Sequence, residues 1–109
     1  MNAICLKFYV NEYLTHQHHQ MVHEWLIEQA KKMGIRCGSS FKTVAGFGHH
    51  GDLHKDRFIG FTNDVPVEVE FILNEDDAER LLNLIKSEGL TLFYIKHPVQ
   101  YGVINSKAI

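Results

Sequence analysis

Residues 46–58, GFGHHGDLHKDRF, gather three glycines, three histidines and four charged side chains into thirteen positions. Three kinds of chemistry fit such a stretch. Glycines at 46, 48 and 51 can take positive φ and turn backbone amides toward an anion. Gly46 to Gly48 would then form the base of a ligand cleft, with Phe47 stacking on a base or on a neighbouring subunit. His49, His50 and His54 could instead converge on zinc or copper, with Asp52 or Asp56 completing the set. The plainest alternative is a turn, in which GFG only lets a strand leave its sheet.

Other residues could also do chemistry. His16, His19 and His23 form a second cluster, and a helix would put His19 and His23 on one face. Two imidazoles make an incomplete metal set, and no HExxH pattern accompanies them; a solvated helix face is the simpler reading. Glu68 and Glu70 alternate along one strand face. Paired carboxylates can do acid–base work, but no nucleophile accompanies them, and pairing with Lys or Arg across strands or subunits fits better. No enzymatic constellation emerges.

The bulk numbers bound these options. The chain has 109 residues with a formal net charge of -2 and a pI near 6.4. A single domain over 1–109 is expected. Without a basic excess, nucleic acid has no electrostatic attraction to the chain. Met1 to Val10 does not read as a signal peptide, and no apolar run reaches the ~18 residues that span a bilayer. Cys5 and Cys37 have no motif spacing, so a reduced, cytoplasmic chain with two free thiols is expected.

The elements that must position these residues follow from periodicity. Residues 3–10, AICLKFYV, read as a strand that is apolar on both faces, so it is central or meets another subunit. Val22, Leu26, Ala30 and Met33 predict a helix over about 17–33, closed by Gly34. Trp25 reads as core or interface. Residues 35–45 return to strand character, and the glycine-rich stretch follows. In 65–73, VPVEVEFIL, Val65, Val67, Val69, Phe71 and Leu73 share one face, and Pro66 belongs at the start or on an edge. Asn74 is a good N-cap for a helix with the stripe Ala78, Leu81, Leu82 and Ile85, closed by Gly89. Residues 90–97 make a last strand, stopped by Pro98. The order β-α-β-loop-β-α-β predicts an α+β, ferredoxin-like fold: an antiparallel four-stranded sheet with two helices on one face. The other face, with Cys5, Tyr9 and Ile72, is too apolar to leave wet, which argues for self-association.

Gly46-Phe47-Gly48-His49, then His54 and Phe58, then Asp64-Val65-Pro66 and Glu70 carry a resemblance. In this order they resemble the PII-like signalling superfamily, relatives of the nitrogen regulatory PII proteins, in the branch filed as a domain of unknown function. The match covers about residues 4–97. The resemblance implies a non-enzymatic homotrimer with a long, mobile T-loop between the second and third strands. Small anionic effectors would bind in clefts between subunits, adenine nucleotides such as ATP, ADP or AMP being the usual ones, with a smaller or less charged ligand as an equal alternative for this chain. The loop would then regulate a partner, such as a membrane transporter or an enzyme. Carried over residue by residue, the ligand-binding candidates are Lys42, Gly46, Phe47, Gly48, His49 and Lys96, with no catalytic residue and no certain cofactor or metal. A metal-sensing trimer through His49, His50 and His54 is the alternative. The chain also departs from the pattern. Lys42-Thr43 stands where many relatives have Arg-Gly, Ser87 to Leu90 lacks a glycine- and lysine-rich phosphate cradle, and Lys96-His97 replaces paired arginines.

Overall fold

A computed structural model describes residues 1–16, 20–44 and 66–105. Its elements run β1 (Asn2–Asn11), β2 (Thr15–His16), β3 (Gln20–Met21), α1 (Val22–Lys32), β4 (Cys37–Lys42), β5 (Pro66–Leu73), α2 (Glu75–Ser87) and β6 (Phe93–Gln100). The main sheet has the order β4-β5-β1-β6 with every pairing antiparallel, and β2 and β3 form a separate two-stranded ribbon. This is the ferredoxin-like arrangement expected from the sequence.

Alternation along the strands builds the core. Leu6, Phe8 and Val10 of β1 and Val67, Val69, Phe71 and Leu73 of β5 are buried on one face. They meet Val22, Trp25, Leu26 and Ala30 of α1 and Ala78, Leu81 and Ile85 of α2 in one cluster. Both helices therefore cover the same side of the sheet. Asn74 caps α2 as expected: its side chain accepts a hydrogen bond from the Asp77 amide at 2.7 Å, which satisfies one of the orphan donors of the first turn. Glycine ends both helices, with Gly34 at φ 85° and Gly89 at φ 73°, a left-handed backbone that other residues enter at a cost.

Three expectations change. The first helix begins at Val22, not near 17. The Asn11 side chain accepts from the Tyr13 amide at 2.8 Å and turns the chain after β1. The Val22 amide bonds the Leu14 carbonyl at 2.8 Å, closing the ribbon just ahead of the helix. Of the histidine cluster, His16 lies on β2 and not on a helix, His23 is the second residue of α1, and His19 is outside the described residues. His16 faces inward instead, its Nε2 2.8 Å from Glu88 Oε1 and its ring edge-on to Trp25 with centroids 5.2 Å apart. His16→Ala removes a hydrogen bond and an aromatic contact, each worth about 1 kcal/mol. A loss of roughly 1–2 kcal/mol in urea unfolding is expected, and an unchanged midpoint would contradict it.

The second change is Pro98, which does not stop the last strand. It lies within β6, opposite Ile4. Because β6 is an edge strand, a residue without an amide donor is tolerated where its nitrogen side faces away from the ladder. Third, β4 is shorter than the expected 35–45. Ile35 is instead a core residue, and its amide bonds the Ala30 carbonyl at 3.0 Å.

Candidate functional site

Of the sequence-derived candidates, Gly46, Phe47, Gly48 and His49 lie outside the described residues, as do His50, His54 and the whole excursion expected between β4 and β5. Lys42 and Lys96 are described. Lys42 ends β4 and Lys96 lies mid-way along β6, so they occupy the two opposite edges of the sheet, with β5 and β1 between them. Within one chain they do not form a joint site.

Each lysine already has carboxylate partners. Lys42 Nζ is 2.9 Å from Glu12 Oε2. Lys96 donates to Glu75 and, at 3.3 Å, to Glu79, one turn apart on α2. The hydrogen bond to Glu12 raises the Lys42 pKa above the usual 10.5. The bond to Glu75, with Glu79 adding to it, does the same for Lys96. A raised lysine pKa means that the fold favours the ammonium. Stability from either pair is present below the ordinary lysine pKa and is lost as pH rises through the higher folded one. Replacing Glu75 and Glu79 together by Gln should bring the Lys96 titration back down toward 10.5, read by NMR of the side-chain carbons. An unmoved titration would show that the pairs do not persist in solution.

Glu12, Glu75 and Glu79 carry no signal of this role in the sequence. The spacing of Glu75 and Glu79 marks one helix face, but nothing local shows that this face would meet β6. Glu88, which receives His16, is equally hidden, because the contact joins residues 72 positions apart.

The face of the sheet away from the helices is the other feature of note. In antiparallel register, residues opposite one another share a face. The open face therefore carries the rows Cys37–Ile72–Cys5–His97, Ser39–Glu70–Lys7–Ile95 and Phe41–Glu68–Tyr9–Phe93. Phe41 is 50% exposed, Phe93 44% and Ile95 38%. Cys5 is buried at the centre; that burial, with the Glu70 carboxylate adding to it, pushes its thiol pKa up. Both cysteines are free, as expected. The Glu68 carboxylate, 3.5 Å from Lys7 Nζ, raises the pKa of that ammonium. Glu68 thus has its partner across the strands within the chain.

Among the described residues, no group of three or more His, Cys, Asp or Glu side chains is placed to hold a metal ion. Among the same residues, no helix is long and apolar enough to cross a membrane.

Residues 3–99 match the family model DUF190, described as "Uncharacterized ACR, COG1993". The chain belongs to the DUF190 family. A curated relative, a UPF0166 protein of Aquifex aeolicus (strain VF5), is 30% identical over 66 residues, which is 61% of this chain and 63% of that protein. The aligned part of the chain thus spans somewhat less than two thirds of that relative's length.

Solved structures of similar fold include proteins described as PII-like. The apo form of CPII from Thiomonas intermedia K12, a nitrogen regulatory PII-like protein, superposes with a TM-score of 0.62 at 12% identity, covering 94% of this chain and 95% of that one. CPII bound to ADP and bicarbonate gives 0.64 at 16% identity, covering 94% and 91%. A Thermus thermophilus protein described as a putative PII-like signaling protein gives 0.61 at 14% identity, covering 91% and 88%. At these identities the likeness is one of fold. It agrees with the resemblance carried by the GFGH, His and DxP residues of this DUF190 chain.

Proposed function

We propose that this chain is a non-enzymatic regulatory protein of the PII-like type, a single domain acting as a cytoplasmic homotrimer. It binds a small anionic effector of the adenine-nucleotide class in clefts between subunits. The segment after Val44 responds to the effector and regulates a partner protein, such as a membrane transporter or an enzyme. The observation that carries this reading is the fold shared with CPII, a PII-like protein whose structures hold ADP, AMP and bicarbonate. Two further features support it. The open sheet face exposes enough apolar surface to need a cover. Lys42 and Lys96, far apart in one chain, stand on opposite sheet edges, where association of subunits can bring the edge of one copy to the other edge of the next. Gly46, Phe47, Gly48 and His49 would supply the base of the cleft beside Lys42. A ligand shifts the segment only by its differential affinity for the two conformations.

Thermal denaturation with panels of nucleotides and divalent metals tests the assignment. Binding to the folded state at one hundred times Kd adds about 2.7 kcal/mol, so AMP, ADP or ATP should raise the Tm, and Lys42→Ala or Lys96→Ala should reduce that rise. Stabilisation by zinc or copper alone, abolished by His49→Ala and His54→Ala, would replace this reading with a metal-sensing trimer.

A further inference from the structure

The two lysines proposed above for the effector both sit inside ion pairs. Glu12 Oε2 stands 2.9 Å from Lys42 Nζ, so that pair is neutral as a unit. Lys96 is bonded to both Glu75 and Glu79, which leaves that group with one carboxylate in excess. The start of α2 deepens the excess. Asp76 adds another carboxylate in the first turn, and Arg80 is taken by Asp77 at 3.0 Å. The positive end of the helix dipole is worth only about half a charge, less than Asp76 alone removes.

A paired lysine and a bare one attract anions differently. A bare ammonium pulls on every negative charge within reach. The field of a pair fades much faster, because from a few ångströms out the carboxylate cancels the ammonium. An oxygen in direct contact with Nζ still gains a hydrogen bond, since an ammonium has three donors. A second or third phosphate further along a chain gains nothing from the neutral pair at Lys42. Beside Glu75, Asp76 and Glu79 it is repelled. Such surroundings accept one compact anionic group and penalise a polyphosphate tail. We propose that Glu12, Glu75 and Glu79 are specificity-determining residues that tune the effector site to a nucleoside monophosphate over the triphosphate. The proposal rests on the adenine-nucleotide reading and narrows its ligand to the less charged end of that class.

Calorimetric titration with AMP and with ATP tests it, without divalent cations and at low ionic strength, where surface charge is least screened. The wild type should bind AMP about tenfold tighter than ATP, a gap of about 1.4 kcal/mol. Glu12→Gln and the double variant Glu75→Gln/Glu79→Gln keep the side-chain shape and remove only charge; circular dichroism checks that each chain folds. Each should narrow the gap several-fold, by strengthening ATP more than AMP. ATP bound as tightly as AMP by the wild type, or a ratio that neither variant moves, overturns the charge selection and leaves the nucleotide reading in place. Binding of neither nucleotide overturns that reading, and the selection with it.

Discussion

Phe71→Ala is expected to remove about 3–5 kcal/mol of folding stability, the usual range for truncating a buried aromatic. Phe71 is 1% exposed at the centre of β5, between β4 and β1. Its ring meets Phe8 edge-on with centroids 6.3 Å apart and an interplanar angle of 70°, an arrangement that adds to simple area burial. Small domains have only about 5–15 kcal/mol in total, so this one change should leave a marginal protein. Urea unfolding measures it directly, and a loss below about 1 kcal/mol would mean that the core closes over the gap or was never packed this way.

Gly38→Ala attacks the same ring from outside. A Cβ at position 38 would stand 2.9 Å from both Cδ1 and Cε1 of Phe71. Alanine normally suits a strand better than glycine and restricts the unfolded chain, which favours the substitution by up to about 1 kcal/mol. Overpacking against a buried ring costs roughly 1–3 kcal/mol and should win, because Phe71 has Phe8 on its far side and little room to yield. The decisive measurement is a comparison of backgrounds. Gly38→Ala should destabilise the wild type but cost much less in a Phe71→Leu chain. Equal costs in both would separate the glycine from the ring.

The sequence pattern made the fold legible where burial has a period. Val67, Val69, Phe71 and Leu73 alternate because β5 is central and covered on one side; Ala78, Leu81 and Ile85 recur because α2 lies on a sheet. Asn74, Gly34 and Gly89 marked helix ends because capping chemistry is local. What failed was non-local or masked by a misleading local signal. The ribbon of β2 and β3 has two residues per strand, too few for any period to show. Pro98 looked like a stop because sequence cannot tell an edge strand from a central one. The carboxylates that hold Lys42 and Lys96 come from elsewhere in the fold, so the lysines read as available cations. The glycine-rich stretch, the most informative segment for recognising the family, lies outside the described residues.

Those resident carboxylates set the terms for any anion that reaches either lysine. The newcomer does not meet a bare ammonium; it shares the charge and the donors of Lys42 with Glu12, and those of Lys96 with Glu75 and Glu79. Part of the attraction to an external anion is thus already met by an internal counterion, and only the remainder counts as affinity. A lysine that already holds a carboxylate therefore adds less to the grip on any further anion than an unpaired one would.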